Sequence, residues 1–351
     1  MWIMKTMKGL KLIEKGKVGF DEKPIPELGR YEALVKVTAV ATCNTDLEIV
    51  EDLIMPPAIG HFVGHEGVGI VEEVGEEVEY FKPGDRICVP SLTPSWRDIP
   101  SQQGWPQFGR GGMAFDWCLD RDGTFAEYIR VRDVDMNCGK IPDGVNDIQA
   151  VMVTDMLSTA WHGVDHAEIG LGESVVVFGC GPVGLCAVGA SVLKGAGKLF
   201  VIGTNPKGVE LAKHYGATDI IDYRNGDVVE QILDLNGGPV DVAILAGGPA
   251  STVGQAVALV RGGGSVCSVN AYYDDVVIPV AAWNSGMKTQ SIKGWQCTGG
   301  RWLFERYLAS VSLGRFDPEP IVTHVFHGLD ELEACLWAKK DKDCLKPVCL
   351  L

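Results

Sequence analysis

Ser174-Val175-Val176-Val177-Phe178-Gly179-Cys180-Gly181-Pro182-Val183-Gly184 is the stretch whose reading decides the fold. A β-branched run without charge reads as a buried strand, and the Gly-Pro break that follows ends it. Gly179, Gly181 and Gly184 stand at G-x-G-x-x-G spacing, and a run of small residues up to Lys194 continues as a helix. In this strand–loop–helix context the first glycine permits a tight turn. The second lets the backbone approach a pyrophosphate, and the third lets the helix pack on the strand. A dinucleotide is the expected ligand, with its phosphates at the helix N-terminus beside Pro182 and Val183. The segment between Glu173 and Lys194 carries no charge and meets the length of a membrane span. Its internal glycines and proline favour a strand, loop and helix instead.

Downstream, short apolar runs alternate with amphipathic ones. Strands are expected at 199–203, 219–222, 240–246 and 264–270, and helices at 207–215, 227–235 and 252–260. That rhythm predicts an α/β doubly wound parallel sheet. The end of its second strand discriminates between cofactors. An acid there would hold a ribose 2′-hydroxyl and repel a 2′-phosphate, but Gly203-Thr204-Asn205-Pro206-Lys207 contains none. Thr204, Asn205 and Lys207 favour NADP(H). NAD(H) stays as the alternative because no arginine stands among them.

Upstream, residues 8–40 alternate apolar and charged positions around a Pro-rich break at 23–26, the rhythm of antiparallel strands. Further strands are expected at 70–74, 87–90 and 124–131, so the first part of the chain reads as β-rich. Residues 91–123 lack periodicity and form an excursion too long for a simple connector. Residues 147–166 read as a helix with Asp147 as N-cap. The last segment reads as a helix at 301–314, a strand at 321–326, a helix at 329–339 and a strand at 346–350.

The 351 residues are 46% hydrophobic and 22% charged, an ordinary globular composition of a length that predicts two domains. A net charge of −15 with no basic run argues against nucleic acid as a partner. The N-terminus has lysines but no apolar region of signal-peptide length, so a cytosolic protein is expected. Eleven cysteines with no C-x-x-C pair read as reduced thiols, and they supply no four-thiolate structural zinc lobe.

A second stretch bears on chemistry. Gly64-His65-Glu66-Gly67-Val68-Gly69 sets an imidazole and a carboxylate side by side among glycines, which are read as room for a metal or a substrate. Cys43 lies twenty-two residues before His65, each at the edge of the β-rich part. A thiolate, an imidazole and one carboxylate around an open position suit a catalytic zinc ion. His61 is a competing ligand on the same stretch, with a loop position the preferred reading. His162, His166, His214, His324 and His327 are read as core or surface residues.

The G-H-E-x-x-G-x5-G pattern from Gly64 to Gly75, the FKPGDRICVP turn and the GCGPVG loop resemble the zinc-dependent medium-chain alcohol dehydrogenases. Within them, TPSWRD, VMVTDMLSTAWHG, YGATDIIDYRNGD and VTHVFHG are similar to the bacterial tetrameric secondary-alcohol (isopropanol-type) dehydrogenases. The resemblance implies a GroES-like catalytic domain from residues 1–156 and 301–351, and a Rossmann nucleotide-binding domain from 157–300. It implies one catalytic zinc ion held by Cys43, His65 and Asp155, with Glu66 beside the metal and able to approach it. The ion would polarise the substrate oxygen while hydride passes between the carbinol carbon and the nicotinamide. Thr45 would carry the proton away. Where the relatives continue that relay with a histidine, this chain has Glu48.

Tyr223 joins the cofactor residues on the same grounds, and Ser91, Trp117, Ile54, Met55, Trp295, Gln296 and Cys297 are the implied pocket. Several of these are larger or more polar than in the relatives, which points to a bulkier or more hydroxylated substrate. The reading is therefore a cytosolic oxidoreductase interconverting a secondary alcohol and a ketone, with a homotetramer implied by the resemblance. One alternative is a hydroxysteroid or polyol dehydrogenase using NAD(H). Another is a non-catalytic nucleotide-binding relative, against which Cys43, His65 and Asp155 together argue.

Overall fold

The computed structural model describes residues 5–51, 59–111 and 121–351. The chain divides into two compact units, Met1–Ser158 with Cys297–Leu351, and Thr159–Gln296. Seven strands precede the second unit: β1 (Thr6–Glu14), β2 (Lys17–Pro24), β3 (Ala33–Ala41), β4 (Glu66–Val74), β5 (Arg86–Val89), β6 (Tyr128–Val131) and β7 (Gly139–Lys140). The second unit holds β8 (Val175–Phe178), β9 (Leu199–Ile202), β10 (Asp219–Ile221), β11 (Val240–Leu245), β12 (Val260–Ser268) and β13 (Ser291–Gly294). The chain closes with β14 (Val322–His327) and β15 (Lys346–Leu350).

In the first unit, β1 and β2 form a hairpin, and a larger sheet runs β14-β15-β3-β4-β5-β7 with β6 also paired to β3. Strand β3 is central, and its alternate apolar side chains Val35, Val37 and Ala39 are buried. Ala41, at its end, pairs with Glu66 of β4 on one side and Val348 of β15 on the other. The chain then turns at Thr42-Cys43 into the Asn44–Val50 helix. Chain segments 280 residues apart thus meet where β3 ends.

The expected helix at 147–166 is modified in two respects. Its cap is Asn146, not Asp147: the Asn146 side chain accepts from Gln149 N–H at 2.8 Å, and Gln149 Oε1 accepts from Asn146 N–H at 3.2 Å. After Asp147–Met152 the backbone makes a π-helical turn, Val153–Leu157. Such a wide turn displaces one residue from the helical repeat, a feature frequent at functional sites.

The second unit is a six-stranded, all-parallel sheet in the order β10-β9-β8-β11-β12-β13, the arrangement of a doubly wound α/β fold. Strand β8 is buried along its whole length, as a central parallel strand covered on both faces must be. The strand order reverses between β8 and β11. The sixth strand, β13, was not expected, because Ser291-Ile292-Lys293-Gly294 lacks the apolar run of the other five and half of it is exposed at the sheet edge. The uncharged segment 173–194 forms β8, the glycine loop and the Pro182–Leu193 helix. No helix among the described residues is long and apolar enough to cross a membrane. The ten described cysteines are free thiols, all buried except Cys43.

Candidate active site

At the end of β3, the ligand atoms of Cys43, His65, Glu66 and Asp155 all lie within 4.8 Å of one another. Each arrives by a different route. Cys43 stands between β3 and the Asn44–Val50 helix. Glu66 opens β4, so His65 immediately precedes it and Gly64 turns the chain at φ +92°. Asp155 is the middle residue of the π-turn. One thiol, one imidazole and two carboxylates form a donor set that suits a divalent ion such as zinc. Glu66 Oε2 is buried and makes no hydrogen bond, an orphaned carboxylate oxygen whose negative charge a cation held by its neighbours would offset.

Two side chains that the sequence did not single out hold these donors. The Asp46 carboxylate, 1% exposed, accepts from the Cys43 backbone N–H at 2.8 Å through one oxygen. Through the other it meets His65 Nδ1 at 2.7 Å. An ionised carboxylate only accepts, so Nδ1 carries a proton. Nε2 then faces Asp155 at 3.5 Å. Burial alone would lower the His65 pKa; Asp46 and Asp155 outweigh it and raise it well above the usual histidine value.

The second side chain is Lys346, whose ammonium is 2.5 Å from Glu66 Oε1, with both side chains buried. Burial pushes the Glu66 carboxyl up to about 7, against the opposing charge of Lys346. Burial disfavours the Lys346 ammonium, but the charges of Glu66, Cys43 and Asp155 raise its pKa overall. The only local signal for Asp46 was its position three residues after Cys43. Lys346 gave none, since a lysine near a terminus reads as solvent-exposed.

The remaining expected residues fall as follows. The Cys43 thiol lies 3.6 Å from the Thr45 hydroxyl, and Glu48 follows one helical turn later, half-buried. Ser91 is fully buried and its hydroxyl points at Asp155 Oδ1, 3.4 Å away, so it braces a donor. Trp117, Ile54 and Met55 lie outside the described residues. Trp295 and Gln296 belong to the second unit and Cys297 to the first. Trp295 stacks on His166 with ring centroids 3.5 Å apart, and the Gln296 carbonyl accepts from His162 Nδ1 at 3.2 Å. His61 stands 3.5 Å from Asp122 and is not part of the donor cluster.

The glycines of the 64–69 stretch serve a purpose other than the expected one. A Cβ on Gly64 would meet the Phe125 ring at 2.2 Å, and one on Gly69 the Lys36 carbonyl at 2.2 Å. They let neighbouring chain segments approach; they do not clear space for a metal.

In the second unit the glycine loop lies where the sheet order reverses, the place at which such sheets bind ligands. Gly179 has φ +107°, and a Cβ there would sit 3.0 Å from the Ala246 carbonyl at the end of β11. A Cβ on Gly184 would lie 2.1 Å from the Gly179 carbonyl, so this glycine packs helix on loop. A Cβ on Gly181 would meet nothing within 4 Å. That open space precedes the Pro182–Leu193 helix, whose N-terminus has no side-chain cap, and it fits a phosphate.

Beyond β9, the Thr204 hydroxyl and the Tyr223 hydroxyl are 3.0 Å apart. Gly203 lies against Cys180, where its Cβ would meet the sulfur at 2.2 Å. Asn205 caps the next helix, its Oδ1 accepting from Gly208 N–H at 2.9 Å, and Lys207 pairs with Glu210 at 2.8 Å. The Asn205 oxygen is therefore committed to the helix cap. Arg224, beside Tyr223, is held by Asp222 at 2.6 Å.

Residues 29–143 match the Alcohol dehydrogenase GroES-like domain, and residues 182–311 match the Zinc-binding dehydrogenase family. The chain belongs to the zinc-binding alcohol dehydrogenases, and its fold is that of a medium-chain enzyme of that class. It is 43% identical to the NADP-dependent isopropanol dehydrogenase of Thermoanaerobacter brockii, over 98% of this chain and 100% of that one. It is 42% identical to the protein of the same name from Clostridium beijerinckii, over 98% and 100% of the two chains. Among solved structures, the alcohol dehydrogenase of Thermus sp. ATN1 superposes with a TM-score of 0.87 at 28% identity, covering 98% of this chain and 99% of that one.

Proposed function

We propose that this protein is a zinc- and NADP(H)-dependent oxidoreductase that interconverts a secondary alcohol and a ketone. The observation that carries the reading is the convergence of Cys43, His65, Glu66 and Asp155 at the end of β3. Its similarity to the isopropanol dehydrogenases supports the substrate class and the choice of cofactor. When bound, the ion lends Lewis acidity to a substrate oxygen and the nicotinamide exchanges hydride. Cys43, His65 and Asp155 hold the ion. Asp46 keeps the His65 proton on Nδ1, and Ser91 steadies Asp155.

Thr45, beside Cys43, takes the hydroxyl proton of the substrate and Glu48 passes it outward. The loop Gly179–Gly184 receives the pyrophosphate of the dinucleotide, with Pro182 and Val183 opening the helix beneath it. The backbone at Gly203, the hydroxyls of Thr204 and Tyr223, and Lys207 face the ribose phosphate, and residues 203–207 at the end of β9 contain no acid. By the same resemblance the protein is assigned as a homotetramer, which light scattering on the purified protein tests, and its eleven cysteines without a C-x-x-C pair assign it to the cytosol.

Elemental analysis is expected to find one zinc per chain, and Cys43→Ser is expected to lose both zinc and ketone reduction. A zinc-free active enzyme, or unchanged turnover in Cys43→Ser, refutes the reading. A panel from acetone to steroid ketones with NADPH and NADH separates it from the hydroxysteroid and polyol alternatives. Reaction with only the large ketones, or with NADH alone, favours those.

A further inference from the structure

Lys346 is the buried charge that the mechanism above leaves unused. Its placement follows from strand parity. Ala41 faces Glu66 on one side and Val348 on the other, so these two side chains share a face of the sheet. Lys346 is two residues before Val348 and returns to that face. Its stem then reaches past β3 to Glu66 Oε1.

Metal sites with four protein donors are closed and structural, whereas catalytic ones keep a position open for substrate. Four donors converge here, so one of them has to be held back. Three of the four are anionic when they ligate: the Cys43 thiolate, Asp155 and Glu66. Lys339, the second cation nearby, donates to the Leu345 carbonyl at 2.6 Å. Lys346 instead pairs directly with a carboxylate of the cluster, that of Glu66.

We propose that Lys346 is a positioning residue that tethers Glu66 through Oε1, holding the fourth donor in reserve so that one metal position stays open to substrate. This rests on the reading of Cys43, His65 and Asp155 as metal donors. A buried ammonium repels a divalent cation and competes with it for the same carboxylate, so its removal has a definite sign. Without the charge, Glu66 closes on the ion, which is then held more tightly and reacts less.

The test uses the full-length enzyme loaded with zinc or with cobalt(II). In Lys346→Met, zinc release to a chelator is expected to slow by about tenfold or more, within the range for groups that orient ligands. The visible spectrum of the cobalt enzyme should stop responding to added imidazole, a probe of the open position, and kcat should fall. Lys346→Arg should restore release rate and spectrum, which a merely structural role for the lysine would not require. Glu66→Gln, made with Lys346 in place, should release zinc at nearly the parent rate and cancel the effect of Lys346→Met in the double variant. Release at or above the parent rate in Lys346→Met, or large zinc loss in Glu66→Gln, overturns the proposal. If Cys43→Ser loses the metal while Lys346→Met behaves as the parent, this inference alone fails. If Cys43→Ser retains it, the assignment of the site fails as well.

Discussion

Asp46→Asn is the substitution that most directly probes how the donor cluster is built. It preserves the shape of a side chain that touches two donors at once, through Cys43 N–H at 2.8 Å and His65 Nδ1 at 2.7 Å. Both partners donate, and an amide offers one oxygen where the carboxylate offers two. One of the two bonds must therefore be lost. If the amide nitrogen faces His65, the imidazole keeps its proton on Nε2 and cannot ligate through that atom. If it faces Cys43, two donors confront each other at a site that water does not reach.

A hydrogen bond to a charged group contributes about 1.5–3 kcal/mol. At about 1.4 kcal/mol per tenfold, that corresponds to roughly a ten- to hundred-fold loss of zinc affinity. One effect opposes the loss. Without the Asp46 charge, His65 gives up its second proton more easily, which favours the metal. Measurement at about pH 8, where proton competition is weaker, limits that compensation. The assay is competition for zinc with a fluorescent chelator, alongside thermal unfolding of the metal-free variant. Zinc affinity equal to the parent's would refute the idea that Asp46 orients the donors.

The cofactor loop separates packing from binding. Gly184→Ala forces a Cβ to 2.1 Å from the Gly179 carbonyl and should destabilise the fold by about 1–3 kcal/mol, read as a lower Tm. Gly181→Ala adds a methyl to open space, so Tm should stay while the KM for NADPH rises; an unchanged KM would remove the phosphate from that position. Asp241 is one of the acids that give the second unit its pH dependence. Burial opposes its charge, but Arg261 at 2.5 Å and the Ser174 amide and hydroxyl at 2.8 and 2.7 Å outweigh this and depress its pKa. The depressed value means its stabilisation is complete above the unfolded pKa and lost as pH falls through the folded one. The Tm gap between parent and Asp241→Asn should therefore be constant above about pH 5 and shrink below about pH 3.5. A gap that persists in acid would show that shape, not charge, is responsible.

Glu66 illustrates how far local reading reaches. Its neighbourhood to His65 was visible, yet whether it was a ligand or a surface acid depended on Lys346, 280 residues away. Asp155 had the same difficulty. Its stretch reads as an ordinary helix, and the π-turn that displaces it depends on packing, not on residue type. Ser91 shows the same limit, because nothing along the chain announces that its hydroxyl meets the Asp155 carboxylate.

The sequence by itself determined what depends on neighbours along the chain. The buried strand before Gly179, the strand–helix alternation and the turn at Gly64 are set by short-range sterics and by apolar periodicity, and both are written locally. Tertiary structure alone decided which charges meet at the end of β3. The Asp46 bond to Cys43 is a local helix cap, but Asp46 meeting His65 and Lys346 reaching Glu66 follow from strand order and register, which bring the helix after β3 and the starts of β4 and β15 together. A buried charge is tolerated only where such partners arrive together, so its role cannot be read before the fold that brings them.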